Sequence, residues 1–172
     1  MDKATFAGGC FWCMQPAFEN LGGVENTTVG YMGGEKKDPT YKEVSKGETG
    51  HREVIQIEYD SEKIDYEKLL EVFWKSIDPF DPEGQFADKG KQYKTTIFYH
   101  NENQKKMAEK SKRELENKFD KKVQTEIDKA GKFYKAEEYH QDYHKKYKIK
   151  YILYKKASGR KKRLKDLWDE KI

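Results

Sequence analysis

Residues 3–14 read Lys3-Ala4-Thr5-Phe6-Ala7-Gly8-Gly9-Cys10-Phe11-Trp12-Cys13-Met14. This stretch holds both cysteines of the 172-residue chain. It predicts a short strand that ends at two glycines, where a backbone can turn tightly. Apolar residues then recur three and four positions apart, at Phe11, Met14, Phe18 and Leu21, which predicts a helix. A Cys-x-x-Cys between a strand and a helix indicates thiol chemistry.

The position of Pro16 limits where this helix can begin, because proline has no backbone N–H to donate. We therefore expect Pro16 in the first turn, Cys10 just before the helix or in its first residues, and Gly22-Gly23 at its end. A helix N-terminus stabilises a thiolate, so Cys10 is predicted to be the nucleophile, with Cys13 attacking it once it is oxidised. The alternative is that both thiols are buried small hydrophobes.

The composition favours one folded domain that spans residues 1–172. Twelve Tyr, nine Phe and three Trp argue against disorder, although 38% of the residues are charged. No window is apolar enough to span a membrane, and the first residues lack the apolar core of a signal peptide. Two cysteines are too few for a secreted disulfide scaffold, so a cytoplasmic setting is expected. A monomer is expected as well.

The remaining pattern predicts alternating strands and helices. Strands are predicted at 24–31, 52–59, 93–99 and 123–130, and helices at about 65–77, 101–119 and 160–168. Long loops are predicted at 33–50 and 78–92, and the polar, aromatic stretch 137–150 is left without a helix or strand. The order β-α-β-β-α-β, then α-β, predicts an α+β fold, a two-layer sandwich with helices on one face of a mixed sheet.

Glu53 is the most informative acid because of its position in the strand at 52–59. Its side chain shares a face with Ile55, Ile57 and Tyr59. A carboxyl on an apolar face has a raised pKa and can donate a proton near neutral pH. If the strand already meets solvent at this end, Glu53 is an ordinary acid. Tyrosines at loop positions, such as Tyr31, could supply O–H donors to a ligand.

Two alternative functions use other features of the sequence. His51, Cys10 and Cys13 resemble the zinc ligands of a zinc-dependent deaminase or hydrolase, with Glu53 as the residue that moves protons, although their order along the chain is reversed. The pair His140 and His144 could also bind a metal, but an exposed pair is the favoured interpretation.

The second alternative is a nucleic-acid-binding module. From Lys145 to Ile172 there are twelve Lys or Arg against three Asp or Glu. A solvated helical face is favoured over a nucleic-acid surface for this basic segment.

The assembled motifs resemble those of the A-type peptide methionine sulfoxide reductase family over most of the chain. In order, they are Gly9-Cys10-Phe11-Trp12, Gly30-Tyr31-Met32-Gly33-Gly34, Pro39-Thr40-Tyr41, Thr49-Gly50-His51-Arg52-Glu53, Asp78-Pro79, Gln85-Phe86-Ala87-Asp88-Lys89-Gly90-Lys91-Gln92-Tyr93 and Ala136-Glu137-Glu138-Tyr139-His140-Gln141. Several separate motifs in the same order are far more specific than any single one. The resemblance implies a ferredoxin-like α+β sandwich with long flanking loops.

The resemblance also implies a role for each matching residue. Cys10 would attack the sulfoxide sulfur and become a sulfenic acid as methionine leaves. Glu53 would protonate the sulfoxide oxygen, Tyr41 and Tyr93 would hydrogen-bond it, and Asp88 would support them through a polar network. The family acts on the S epimer of methionine sulfoxide, free or in proteins.

The apolar residues and the redox partners follow from the same resemblance. Phe11 and Trp12 would form the pocket for the S-methyl group of the substrate. No metal or bound cofactor is implied, and the oxidised enzyme would be reduced by thioredoxin or another dithiol.

The chain departs from the family at two positions. Many members have Gly where Cys13 stands and regenerate through cysteines near the C-terminus, which this chain lacks. Cys13 is therefore the expected resolving thiol within the chain, unless an external or intersubunit thiol acts instead. Gln15 stands where Glu is common, which we expect to change a structural hydrogen bond.

Overall fold

The architecture is a six-stranded mixed sheet with its main helices on one face. It is seen in a computed structural model that describes residues 1–169. The strands are β1 (Asp2–Ala7), β2 (Val24–Met32), β3 (Arg52–Tyr59), β4 (Gly84–Gln85), β5 (Asp88–Lys89), β6 (Thr96–Tyr99), β7 (Glu126–Lys129) and β8 (Tyr134–Lys135). The helices are α1 (Phe11–Phe18), α2 (Tyr41–Ser45), α3 (Tyr66–Lys75), α4 (Glu102–Phe119), α5 (Tyr143–Lys146), α6 (Lys148–Ser158) and α7 (Arg160–Asp169).

The order of the strands confirms the predicted α+β topology. The sheet runs β7-β6-β1-β3-β2-β8, and its central order β6-β1-β3-β2 is that of a ferredoxin-like fold. The central strands are antiparallel, while β7 joins β6 in parallel after the α4 crossover. The short strands β4 and β5 form a separate hairpin inside the predicted loop 78–92.

The two faces of the sheet are covered differently. On one face Phe6 stacks against Phe18 of α1 and Phe73 of α3, with ring centroids 5.7 and 4.8 Å away, and Ile55 and Ile57 lie in the same cluster. On the other face a smaller cluster of Ala7, Met32, Val54 and Phe98 is covered by Ala130 and Phe133. The helices of the core therefore lie on one face, as predicted.

The helix after the glycines begins as expected and ends earlier than expected. Cys10 directly precedes α1, and its carbonyl accepts a hydrogen bond from the backbone N–H of Cys13 at 3.1 Å. Pro16 lies in the second turn, not in the first. The helix stops at Phe18 instead of Gly22-Gly23, because two successive turns redirect the chain into β2.

Other sequence predictions also need correction. The predicted loop 33–50 contains α2, which begins at a capping box between Thr40 and Glu43. Strand β6 begins at Thr96, since Tyr93 belongs to a 3-10 turn. Helix α6 was not predicted, because several of its apolar side chains face solvent and give no clear core-facing period.

Two helix starts agree with expectation, and so does the helix predicted at 160–168. Asp65 and Asn101 cap α3 and α4 by accepting the backbone N–H groups of Lys68 and Gln104. The basic segment 145–172 forms the end of α5 and then α6 and α7, and its last three residues lie outside the described part of the chain. Within residues 1–169 none of the helices has the length and apolar character needed to cross a bilayer.

Gln15 makes the structural hydrogen bonds that its departure from the family suggested. Its amide nitrogen donates to the Thr27 carbonyl and hydroxyl oxygens at 3.3 and 3.1 Å, and its oxygen accepts from the Asp142 backbone N–H at 2.9 Å. Only an amide can donate and accept in this way, so the local structure between α1, β2 and the start of α5 depends on it.

We expect the substitution Gln15→Glu to lower the free energy of unfolding by about 1–3 kcal/mol at neutral pH. The carboxylate cannot donate to Thr27 and would place an oxygen against the Thr27 carbonyl in a buried site. Urea unfolding at pH 7.5 measures the effect, and the difference from the wild type should narrow at low pH, where a protonated Glu can donate. Equal stability of the two proteins at neutral pH would contradict the expectation.

Candidate active site

Cys10 lies in a tightly constrained turn between β1 and α1. Gly9 has a φ of +87°, and a Cβ at this position would lie 2.7 Å from Cβ of Gln85 and 3.1 Å from the Arg160 guanidinium. Gln85 is itself held by hydrogen bonds to both backbone groups of Asp78, at 2.8 and 2.7 Å. Cys10 is consequently buried, with 5% of the residue exposed.

The environment of Cys10 favours its neutral thiol. Burial raises the pKa of Cys10 well above its usual value, and the neighbouring Cys13, Glu53 and Asp88 raise it further. The sequence predicted a thiolate on Cys10 stabilised by the helix N-terminus, whereas burial favours the thiol. The physical reason is that the first free N–H of α1, on Phe11, donates to Glu53 and not to Cys10.

Cys13 has the opposite tendency. The hydrogen bond from the Cys10 side chain lowers the pKa of Cys13 to about 7, against the effect of burial. The positive charges of Arg160 and Lys155 and the hydroxyl of Tyr151 lower it further. The side chains of the two cysteines interact, and this interaction lowers the pKa of Cys13 while it raises that of Cys10.

Glu53 is buried at the end of β3 nearest to α1. It is 1% exposed, and its Oε1 accepts the backbone N–H of Phe11 at 3.1 Å. Its Oε2 is buried without a hydrogen-bond partner among the described residues. Burial raises the pKa of Glu53 to about 8, with smaller contributions from Asp88 and Cys13. The predicted position on an apolar face and the predicted raised pKa are both confirmed.

Tyr41 and Tyr93 bring phenol groups to the same place from two separate loops. Tyr41 is the first residue of α2, and Tyr93 ends the 3-10 turn at Lys91–Tyr93. The pKa of each phenol is raised by burial first and then by electrostatic interactions, which for both include Glu53 and Cys10. Both phenols are therefore protonated hydrogen-bond donors. Asp88 also interacts electrostatically with Cys10, Glu53 and Tyr93.

Phe11 and Trp12 form an aromatic wall beside these polar groups. Phe11 is fully buried, and its ring lies 6.2 Å from that of Tyr41. The indole N–H of Trp12 donates to Nδ1 of His140 at 2.9 Å. The Trp12 ring also stacks on Tyr143 with centroids 3.9 Å apart. The structure thus brings together all eight site residues that the sequence singled out.

Some residues of the site were not assigned a role from the sequence. The Glu137 carboxylate accepts the Tyr31 hydroxyl at 2.8 Å and the Tyr41 backbone N–H at 2.9 Å, which fixes the start of α2. Glu137 and His140 both belong to the motif at 136–141, so the presence of that motif was the sequence feature that could have pointed to them. Sequence spacing could not show which side chains it would contact.

The C-terminal helices supply further unexpected contacts. The Tyr154 hydroxyl of α6 donates to Asp88, and its ring meets the edge of Trp12 at 5.6 Å. Arg160 is 4% exposed and donates to the carbonyls of Gly8 and Ser76 at 2.8 and 2.6 Å. These contacts hold α6 and α7 against the turn between β1 and α1 that carries Cys10.

The zinc interpretation of His51 and the cysteines is wrong. His51 Nδ1 accepts the backbone N–H of Gly34 at 3.0 Å, and Nε2 meets the Lys36 carbonyl at 2.7 Å, so both ring nitrogens are in use. Within residues 1–169, no three His, Cys, Asp or Glu side chains are grouped in a way that would hold a metal ion.

His140 and His144 are not the exposed pair that the sequence favoured, nor do they face a common point. His140 is fully buried against Trp12, and burial lowers its pKa to about 4. His144 is half-buried and hydrogen-bonds Glu19 at 2.7 Å. Each imidazole therefore serves packing between the C-terminal region and α1.

Comparison with known proteins gives matches over nearly the whole chain. The family model described as peptide methionine sulfoxide reductase matches residues 2–172. The peptide methionine sulfoxide reductase MsrA of Listeria monocytogenes serotype 4a (strain HCC23) is 55% identical over 162 residues, covering 93% of this chain and 92% of the relative. The MsrA of Bacillus licheniformis is 51% identical over 172 residues, covering 99% of this chain and 95% of the relative.

Solved structures show the same fold. Reduced Mxr1 from Saccharomyces cerevisiae is 33% identical with a TM-score of 0.80, and the match covers 84% of each chain. Methionine sulfoxide reductase A of Corynebacterium diphtheriae is 29% identical with a TM-score of 0.75, covering 84% of this chain and 74% of that one.

Proposed function

The chain belongs to the peptide methionine sulfoxide reductase family, and we propose that it reduces the S epimer of methionine sulfoxide, free or in proteins, through a sulfenic acid on Cys10. The observation that supports the assignment of residues is the interaction of Cys10 with a buried Glu53 whose Oε2 has no hydrogen-bond partner among the described residues. With a pKa of about 8, Glu53 is protonated at neutral pH and can donate toward a bound oxygen.

The first step is attack of the Cys10 sulfur on the sulfoxide sulfur. Cys10 must lose its proton, and the hydrogen-bonded Cys13 thiolate is the adjacent acceptor. Glu53 protonates the sulfoxide oxygen as the bond between the two sulfurs forms, and Tyr41 and Tyr93 donate hydrogen bonds to that oxygen. The hydroxyl then passes from the substrate sulfur to the Cys10 sulfur, and the bond between the two sulfurs breaks with its electron pair left on methionine. Methionine leaves, and Cys10 remains as a sulfenic acid whose sulfur has been oxidised by two electrons.

The aromatic wall supplies the binding site for the methyl group of the substrate. Phe11 is rigidly buried, and Trp12 is held by its hydrogen bond to His140 and its stacking on Tyr143. An apolar wall on one side of the sulfur and hydrogen-bond donors on the other distinguish the methyl group from the oxygen. Because the methyl group and the oxygen are held on opposite sides, only one epimer places both groups correctly, which is a physical reason for the enzyme to act on that epimer.

Cys13 is the proposed resolving thiol. Its sulfur attacks the Cys10 sulfenic acid, a disulfide forms, and the hydroxyl leaves as water after taking a proton. The interaction between the two side chains supports this step. Because no other cysteine exists in the chain, the product is a Cys10–Cys13 disulfide, which thioredoxin or a similar dithiol reduces.

An assay with a mixture of the S and R epimers of methionine sulfoxide, and dithiothreitol as reductant, tests the activity directly. We expect chromatography of the products to show consumption of the S epimer only. Loss of both epimers at equal rates, or of neither, would contradict the assignment.

The role of Cys13 is tested by counting free thiols after one equivalent of substrate without reductant. We expect two thiols to be lost per chain in the wild type, with a Cys10–Cys13 disulfide in the mass spectrum. The Cys13→Ser variant should instead retain a trappable sulfenic acid, and its turnover with thioredoxin should fall by about 10²-fold or more. A wild-type protein that keeps a lasting sulfenic acid with Cys13 free would refute the proposed resolving step.

A further inference from the structure

The outer surface of α6 carries an unusual group of exposed apolar side chains. Ile149, Ile152 and Leu153 are 76%, 52% and 62% exposed. They share one helix face because they are three and four positions apart. We call these three residues the α6 patch. Such a contiguous apolar surface is typical of an interaction site.

The charged residues of α6 itself are all basic, namely Lys148, Lys150, Lys155 and Lys156. Residues 143–165 contain eleven Lys or Arg and no Asp or Glu. Two of the lysines that flank the α6 patch, Lys148 and Lys150, are exposed, and the ammonium of Lys150 lies 5.6 Å from the centre of the Tyr147 ring. A complementary partner therefore has an apolar centre and an acidic rim.

The opposite face of the same helix touches the redox centre. Tyr151 interacts with Cys13, and Tyr154 donates its hydroxyl to Asp88 and packs on Trp12. The two cysteines beneath are only 5% and 7% exposed. A protein that exchanges thiols with them must therefore contact or displace α6.

We propose that the α6 patch is the docking surface for the thioredoxin-type dithiol protein that regenerates the enzyme. This inference rests on the proposed function and names a surface for its reductant. The reductant is a single partner, so a fixed pattern of apolar and charged groups can match it. Oxidised methionines occur in segments of varied sequence and charge, which such a pattern would not fit in general.

The thiol–disulfide exchange between the reductant and this chain takes place at Cys10 and Cys13. A thiolate of the partner attacks one sulfur of the Cys10–Cys13 disulfide, and the displaced sulfur leaves as a thiolate that takes up a proton. The second thiol of the partner then breaks the mixed disulfide. Two electrons and two protons pass to this chain, and the partner leaves oxidised.

The test compares regeneration by thioredoxin with regeneration by dithiothreitol. Thioredoxin is recycled with thioredoxin reductase and NADPH, and its concentration is varied at saturating methionine sulfoxide. We expect Ile152→Gln and Leu153→Gln to raise the KM for thioredoxin by about tenfold and to leave the rate with dithiothreitol unchanged. Lys148→Glu should raise it too, with a weaker salt dependence than in the wild type.

Lys106→Glu is the matched control, because this exposed lysine lies in α4, which packs against α3 and β6. It should leave the KM for thioredoxin unchanged. If all three α6 variants keep the wild-type KM for thioredoxin, the docking proposal is overturned. It is also overturned if the wild type binds anionic phosphatidylglycerol vesicles or DNA and the variants lose that binding while their KM for thioredoxin is unaltered. If a Gln variant loses activity with dithiothreitol, the KM for thioredoxin of the surface charge variant Lys148→Glu decides whether the docking proposal holds. Absence of sulfoxide reduction with dithiothreitol in the wild type would instead refute the proposed function.

Discussion

The Cys10→Ser variant is expected to lose methionine sulfoxide reduction by at least about 10⁴-fold. A serine hydroxyl is a far weaker nucleophile toward sulfur, and it cannot accept the oxygen and two oxidising equivalents as a sulfenic acid. The loss should therefore occur in a single turnover, before any reductant is needed. Rapid mixing with one equivalent of sulfoxide and measurement of the methionine formed checks this result.

Cys13→Ser serves as the control for Cys10→Ser. Both remove one buried thiol from the same turn, so a shared effect on folding would appear in both. The Cys13 variant should still form about one equivalent of methionine, more slowly at neutral pH because the adjacent proton acceptor is gone. A Cys10→Ser protein that remains folded and reduces the S epimer would end the assignment of Cys10 as nucleophile.

Glu53→Gln is expected to slow sulfenic acid formation by about 10²–10⁴-fold at neutral pH. Glutamine can accept the Phe11 N–H as Glu53 does, but it cannot transfer a proton to the sulfoxide oxygen. The substitution also removes a buried acid that burial disfavours in its charged form, so the fold should not be lost. Single-turnover kinetics at pH 7 measure the effect, and a rate equal to that of the wild type would contradict the role of Glu53.

The same groups predict the pH dependence of the wild-type reaction. Glu53 must be protonated to act, so its contribution is present below its pKa of about 8 and is lost above it. Cys13 must be deprotonated to accept the Cys10 proton, so its contribution appears above its pKa of about 7. The single-turnover rate should therefore be bell-shaped with its maximum between these values. Glu53→Gln should remove the alkaline limb, and Cys13→Ser should remove the acidic limb.

Local patterns were sufficient for the sheet and for the buried acid. The alternation at 52–59 predicted both the strand β3 and the face on which Glu53 lies, because side chains in a strand alternate at every residue. The spacing after Gly9 predicted a helix with Cys10 at its start. These features depend on residues close in sequence, so the sequence alone carries them.

Features that depend on distant residues were missed or predicted wrongly. The sequence of helix α6 showed no core-facing pattern, since its inward residues lie against the turn that carries Cys10 and Cys13 and its other apolar residues face solvent. His140 was interpreted as an exposed side chain, because nothing near it in sequence shows that Trp12 donates to it. The short hairpin of β4 and β5 depends on the bonds between Gln85 and the backbone of Asp78.

Local sequence was enough to indicate the family resemblance, the α+β class and the candidate residues of the reaction. The ionisation of the two cysteines depends on the fold. A helix N-terminus should favour a thiolate on Cys10, but the N–H that faces the turn is taken by Glu53 from β3. Arg160 and Lys155, about 150 residues later in the chain, help to move the charge to Cys13 instead. Desolvation and the proximity of charges act through space, and local sequence does not encode them.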